Sequence, residues 1–191
     1  MNANGRSLWT AAIILVVSGV VAARVESHAK GSGHAAGRRD LPAETKVFPE
    51  HNHDNVEGVV QYDRVPPAGG AHSYVWLNCG VYDVPVRKED AVHSLEHGAV
   101  WITYRPGLPA ADVARLRRRA ESSYQGTERY VILSPYRGLS APVVASAWGA
   151  QLQLKRVDDP RLEAFVAHFV GGGQGGEPGG YCTGGSGSPI G

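Results

Sequence analysis

The chain has almost no excess of charge of either sign. Among its 191 residues, 19 are basic and 18 are acidic, so the formal net charge is only +1. Nucleic-acid binding needs a clustered basic surface, and this balance gives no reason to expect a nucleic-acid partner. The short basic run at residues 117–119 is expected to lie on the solvated face of a helix. Hydrophobic residues make up 42% of the chain, which suffices for the core of one domain.

The sequence also lacks a hydrophobic run of ordinary membrane-spanning length. The uncharged stretch at residues 8–23 would form a helix of about 24 Å, whereas the hydrocarbon core of a bilayer is roughly 30 Å thick. We therefore interpret residues 1–23 as either a signal peptide cleaved near Ala23 or an anchor in the cell membrane. Both interpretations predict export, as a single-pass protein with an extracytoplasmic domain or as a secreted protein. Under the positive-inside rule, however, the basic residues between Arg24 and Arg39 favour an orientation that leaves the following domain on the cytoplasmic side.

Composition divides the rest of the chain into three parts. Residues 24–46 mix glycine, serine, alanine and charge, which is typical of a flexible spacer. Residues 47–185 are predicted to form a globular extracytoplasmic domain, and residues 186–191 a disordered tail. The glycine-rich stretch from Gly171 is not expected to support a core. Its GxGxxG pattern follows a predicted helix rather than a strand, so it does not indicate a dinucleotide site.

Cysteine is rare, and its two occurrences favour a single disulfide. Cys79 and Cys182 are the only cysteines, a pattern suited to one bridge in an oxidising compartment. Closing a loop of about 100 residues is worth on the order of 4 to 5 kcal/mol in chain entropy. The alternative is two separate reduced cysteines, which a count of free thiols in unreduced protein would reveal.

Hydrophobic patterning predicts an α+β domain. Residues 99–104 and 129–133 are apolar, β-branched and aromatic runs typical of buried strands, and residues 151–155 alternate as a half-exposed strand does. Residues 108–124 and 160–169 each place apolar side chains on one helical stripe. We therefore expect a small sheet covered by about two helices, preceded by one N-terminal hydrophobic helix.

The segment HSLEHG at residues 93–98 carries the clearest chemical signal. The Cβ atoms of His93 and His97 lie about 5 to 6 Å apart in a helix but roughly 13 Å apart in a strand, so only a helix lets both bind one ion. Acidic residues before the pair and Gly98 after it favour a short helix. Glu96 then lies near the same surface as His93. The alternative is a pair of hydrogen-bonded histidines that fix a turn.

Two further segments supply histidines for such a site. His72 follows the turn-forming run PPAGGA, and His53 lies in the sequence HNHD. Together with His93 and His97 they form a set that suits zinc, copper or nickel, with Glu96 as a ligand or as an acceptor behind the ligands. We expect zinc or copper as the cofactor.

Enzymatic function is less well supported, and no catalytic residue is assigned. The HxxEH spacing is that of inverted zinc peptidases, in which the glutamate is the general base, but those need a long helix and Gly98 ends this one. A GxSxG elbow does not occur, and both cysteines are expected to be paired. Three hypotheses follow: a metal-binding module, an envelope domain that binds an unknown protein partner through histidines and tryptophans, and a metal-dependent hydrolase.

Several stretches of the sequence together resemble one bacterial family. They are HDNVEGVVQYDRVPPAGGAH, YVWLNCGVYDVPV, EDAVHSLEHGAVWITYRPGL, RYVILSPYRGL, VVASAWG, DDPRLEAF and EPGGYCTGG. Over about residues 50–185 they are similar to the domain of unknown function numbered 3105, which is common in actinobacteria. The resemblance implies an exported or membrane-anchored domain outside the cytoplasm. It places the family's matching residues at His53, His72, His93, His97, Cys79 and Cys182, and it implies no particular activity.

Overall fold

A computed structural model describes residues 40–190 of the chain. The predicted N-terminal helix, with its alternatives of signal peptide and anchor at residues 1–23, lies outside the described residues, as does most of the predicted spacer. Within residues 40–190, no helix combines the length and the apolar character needed to cross a membrane.

In the part of the chain that the structure describes, six strands form one mixed sheet, and three helices pack on it. The strands are Lys46–Val47 (β1), Gly80–Val81 (β2), Val100–Tyr104 (β3), Val131–Pro135 (β4), Val143–Ala147 (β5) and Ala150–Leu154 (β6). The helices are Lys88–Glu96 (α1), Ala110–Ser122 (α2) and Pro160–Phe169 (α3). The strand order is β1-β6-β5-β3-β4-β2, in which β4 pairs in parallel with both β3 and β2. The other pairs, β3 with β5, β5 with β6 and β1 with β6, are antiparallel. The predicted α+β class is confirmed.

The central strand β3 contributes to two hydrophobic clusters, one on each face of the sheet. Val100 and Ile102 belong to the cluster that includes residues of α2 and α3, whereas Trp101 belongs to the cluster that includes residues of α1. Trp101 also donates its indole N–H to Ser134 Oγ at 2.9 Å. Because both faces are covered, the strand is hydrophobic at almost every position, which is why its run was recognisable in the sequence.

Residue types that favour helix starts stand directly before α2 and α3. Asp159 caps α3 by accepting a hydrogen bond from the backbone N–H of Arg161 at 3.0 Å. A side-chain hydrogen bond from Arg161 lowers the pKa of Asp159. Helix α2 begins directly after Pro109 and buries Leu116 and Ala120.

Strand β6 differs from the half-exposed strand predicted at residues 151–155, because it is buried at every position except Gln153. Gln151, which an alternating pattern would leave in solvent, donates its side-chain amide to Pro66 O at 3.0 Å and to Ser146 Oγ at 3.1 Å. A loop covers this face of the strand, and the glutamine serves as a buried donor. Strand β5, with its small residues VVASA, is an element that the patterning did not predict.

The C-terminal segment returns to the domain around the cysteine pair. Cys79 and Cys182 lie at disulfide distance, with Cα atoms 5.2 Å apart. Beyond them, the backbone N–H of Ser186 donates to Trp76 O at 2.8 Å, and that of Ile190 donates to Val81 O at 2.8 Å. The described part of the segment predicted as a disordered tail therefore makes hydrogen bonds to the domain. At the other end, β1 begins at Lys46, the last residue of the predicted spacer.

Candidate metal site

Helix α1 presents two of the predicted ligands at its C-terminal end. Its first turn holds Glu89 and Asp90, acidic residues that favour the N-terminus of a helix. His93 lies in the last turn, and His97 ends the helix in a right-handed conformation, with φ −70° and ψ −6°. Gly98 then adopts φ +99°, a conformation that favours glycine. The helical turn predicted around the two histidines is confirmed, and their ring centroids are 4.5 Å apart.

Three buried imidazoles are each oriented by a backbone carbonyl. The Nδ1···O pairs are His72 with Gly70 at 2.8 Å, His93 with Ser73 at 2.7 Å, and His97 with Tyr181 at 2.6 Å. A carbonyl oxygen only accepts, so each Nδ1 carries a proton and donates it. In the neutral ring the lone pair is then on Nε2, which is the usual arrangement of a histidine that binds a metal.

His93 lies between the other two rings, with its centroid 4.9 Å from that of His72 and 4.5 Å from that of His97. Burial lowers the pKa of His93, and the neighbouring His97 lowers it further. His93 is therefore neutral at pH 7, and the neutral imidazole is the form that coordinates metal ions.

Glu96 connects two histidines through its two carboxylate oxygens. Its Oε1 is hydrogen-bonded to Nδ1 of His53, and its Oε2 lies 2.9 Å from Nε2 of His72. The second contact is not a hydrogen bond, because His72 Nε2 is fully buried and has no hydrogen-bond partner within residues 40–190. In the neutral form of the ring, the lone pair of Nε2 faces a carboxylate oxygen. This arrangement is unfavourable in a buried site unless a cation lies nearby.

The donor atoms of the site form two overlapping sets that share His93. The inner set comprises His72, His93 and Glu96, all of them buried. The outer set comprises His93, His97 and the exposed Glu177. Within each set the donor atoms lie within 4.8 Å of one another. Small side-chain shifts would bring either set to the ligand distances of about 2.0 to 2.2 Å that zinc requires.

The glycine-rich segment at residues 171–180, which we call the glycine strap, lies against the end of α1. Its first residue, Gly171, donates its backbone N–H to Gly98 O at 2.8 Å. Near its other end, Gly179 donates to His97 O at 3.1 Å. The strap is therefore hydrogen-bonded to the backbone that carries the histidines, although its composition predicted little structure.

Glycine is required where the strap meets the site. A Cβ atom on Gly176 would lie 2.7 Å from Glu96 Oε1, and one on Gly180 would lie 2.6 Å from His97 Cδ2. Both distances are shorter than van der Waals contact, so a larger residue would displace the strap or the side chain beneath it. The strap backbone thus covers the carboxylate and one imidazole directly.

Glu177 links the strap to the outer set. Its Oε2 lies 3.3 Å from Nε2 of His97, and its side chain is 65% exposed, whereas that of His97 is 4% exposed. The outer set is therefore open to solvent at Glu177, while the inner set is enclosed.

Two tryptophans flank the cluster. The Trp76 ring centroid lies 5.8 Å from that of His93 and 5.4 Å from that of His97. Trp148 stacks on His53 with a centroid distance of 4.7 Å. Both tryptophan rings lie close enough to the imidazoles to report on the site by fluorescence.

The structure brings four of the five sequence-predicted residues, His72, His93, His97 and Glu96, into the donor sets. His53 lies behind them as a hydrogen-bond partner of Glu96, with a side chain that is 39% exposed. Sequence reasoning missed Glu177. The signal it left is that Glu177 is the only acidic residue in the glycine-rich stretch at residues 171–185.

Together, the fold and the site define an α+β domain with a buried cluster of three imidazoles and one carboxylate beneath a glycine strap. Residues 53–184 match the family model described as protein of unknown function (DUF3105), and the chain belongs to this family. The match begins at His53 and includes every residue of both donor sets. No curated protein and no solved structure matches the chain.

Proposed function

We propose that the protein is an extracytoplasmic metal-binding module that holds a divalent transition metal, zinc or copper. The observation that carries the proposal is the contact between His72 Nε2 and Glu96 Oε2, a buried nitrogen without a hydrogen-bond partner among the described residues that faces a carboxylate oxygen at 2.9 Å. A cation bound at both atoms would convert an unfavourable contact into two coordinate bonds.

The donor chemistry supports a transition metal over magnesium or calcium. Imidazole nitrogens dominate both donor sets, and these suit zinc, copper and nickel, whereas magnesium and calcium prefer oxygen ligands. Each imidazole of the sets is oriented through its Nδ1 by a carbonyl, and His53 orients Glu96. Such partners behind the ligands fix ring orientation and raise metal affinity.

Two features support a location outside the cytoplasm. The two cysteines lie at disulfide distance, which suits an oxidising compartment. The uncharged stretch at residues 8–23 has the length of a signal-peptide apolar region.

The arrangement supports hydrolysis less well than binding. Helix α1 ends at Glu96, so the long helix of the inverted zinc peptidases is not present here. Both oxygens of Glu96 are also in contact with histidines, which leaves neither of them free to accept a proton from water. The proposal therefore assigns no turnover to the site.

The test measures bound metal in protein purified without an affinity tag. Elemental analysis is expected to find zinc or copper in the wild type and a large loss in the double variant His93→Ala, His97→Ala. His51→Ala, which removes an exposed histidine outside the site, is the control and should retain the metal. Added metal at about 100 times its Kd should stabilise the wild type by about 2.7 kcal/mol, a rise in melting temperature of roughly 5 to 10 °C.

Two results would oppose the proposal. Wild-type protein that carries no metal, and whose melting temperature does not respond to added zinc or copper, would contradict it. If the double variant instead leaves metal content unchanged but alters which proteins are captured in a pull-down, the envelope-interaction hypothesis gains support.

A further inference from the structure

His93 belongs to both donor sets but can bind only one ion at a time. Its Nδ1 donates to Ser73 O at 2.7 Å, so the ring has a single lone pair, on Nε2. The inner and outer sets are therefore alternative positions for one ion. They do not form a centre for two metals.

The two positions differ in exposure but not in formal charge. In the inner set the side chain of His72 is 0% exposed and that of Glu96 is 4% exposed. In the outer set the side chain of Glu177 is 65% exposed. Each position supplies one carboxylate, so a divalent ion has the same formal charge balance in both. An ion that arrives from solvent meets Glu177 first.

We propose that the outer set is an entry position, from which the ion moves to the inner set; this inference rests on the proposed function. The ion first binds Glu177, His97 and His93. It then exchanges the first two ligands for His72 and Glu96 while it stays bound to His93. Because His93 is retained throughout, the ion is never released uncoordinated into the buried site, where desolvation of a charge is costly. Glu177 thus controls the rates at which the ion binds and leaves, whereas Glu96 controls the equilibrium affinity.

The neighbouring groups fit this division of roles. His53 holds Oε1 of Glu96, which leaves Oε2 directed at the inner position near His72. The glycine strap places Glu177 beside His97 while its own backbone closes over Glu96. The strap backbone thus lies over the carboxylate of the inner set, whereas the outer set reaches solvent at Glu177.

The experiment separates rates from affinity with full-length protein and the copper(II) ion alone as the probe. Association is followed by stopped-flow quenching of tryptophan fluorescence, since Trp76 and Trp148 flank the site. Release is followed after addition of excess chelator, and Kd by equilibrium competition. The variants are Glu177→Gln and Glu96→Gln, and the control is Glu163→Gln, which makes the same change at an exposed position of α3. Urea unfolding verifies that each variant is folded.

For Glu177→Gln, we expect association and release to slow together by about tenfold, with Kd changed by less than about threefold. Loss of an intermediate position on the path raises the barrier for entry and for release equally, so the ratio of the two rates is nearly unchanged. For Glu96→Gln, we expect Kd to rise by about tenfold or more, mainly through faster release. The control should match the wild type. If Glu177→Gln raises Kd without slowing association, Glu177 is an ordinary ligand and the entry position is refuted. Unchanged rates in Glu177→Gln would refute it too. Wild-type protein that binds no metal would instead overturn the proposed function.

Discussion

Replacement of Gly98 by alanine tests whether the glycine strap is packed against the end of α1. Gly98 has φ +99°, and a Cβ atom there would lie 2.9 Å from Gly172 O and 3.2 Å from the carbonyl carbon of Gly171. The obstructing atoms belong to backbone, so they cannot turn aside as a flexible side chain can. The substitution therefore combines an unfavourable backbone conformation with a steric overlap.

The two contributions can be estimated separately. A non-glycine residue in the left-handed region costs roughly 1 to 2 kcal/mol. Overlap in a packed region typically adds about 1 to 3 kcal/mol. Gly98→Ala should therefore lower the free energy of unfolding by roughly 2 to 5 kcal/mol, and a loss of 3 kcal/mol would lower the melting temperature by about 6 to 12 °C.

Gly107→Ala is the matched control. Gly107 has φ +93°, nearly the same conformation, but no atom lies within 4 Å of an added Cβ among the described residues. The free energy of unfolding of Gly107→Ala should fall only by the conformational contribution, about 1 to 2 kcal/mol. Both variants are compared by urea unfolding of metal-free protein. If they lose the same free energy, the strap does not press on the end of α1 and the packing argument is wrong.

Three further predictions concern the scaffold. Ser134→Ala should leave the buried indole N–H of Trp101 without its partner and cost about 1 to 3 kcal/mol in urea unfolding; a loss under about 0.5 kcal/mol would contradict the buried hydrogen bond. Asp159→Ala should cost about 1 kcal/mol at neutral pH through loss of the α3 cap. Because the hydrogen bond from Arg161 lowers the pKa of Asp159, this difference should be present above pH 3.8 and shrink as the pH falls below it; a constant difference would refute the role of the ionised carboxylate. Cys79→Ser should cost about 4 to 5 kcal/mol, given a separation of 103 residues between the cysteines, and a reducing agent should destabilise the wild type equally but leave the variant unchanged.

The parts of the fold that local sequence determines were predictable. Helix α3 has an aspartate cap, a proline in its first turn and an apolar stripe. Strands β3 and β4 each begin with three consecutive apolar residues, so all three elements are recognisable from a few neighbouring residues. Strand β6 was recognisable as a strand, but its burial depends on a loop that is distant in sequence. Strands β1 and β2 have two residues each and exist only through their pairing with β6 and β4. The local sequence pattern of a strand does not show which distant strand it will pair with.

The candidate site was likewise predictable only in part. The spacing of His93 and His97 showed that a helix would bring them together, because i and i+4 positions share a helical face. Glu177 lies 80 positions after His97, in a stretch whose glycines read as an unstructured tail. Those glycines are needed because backbone packs directly on Glu96 and His97, a requirement that appears only when the opposing surface is known. The carbonyls that orient the imidazoles belong to the backbone, so the residue types in the sequence do not reveal them.

The glycine strap and Tyr181 are synthesised after all the histidines of the site. Tyr181, whose carbonyl orients His97, follows that histidine by 84 residues. At about 5 to 20 residues per second, a nascent chain would carry an uncovered histidine pair for roughly 4 to 17 s before the covering segment leaves the ribosome. Copper outcompetes zinc for most nitrogen ligands whenever both are free. Under the proposed function, the compartment in which residues 171–181 fold would therefore help to decide which ion is enclosed, together with the ligands themselves.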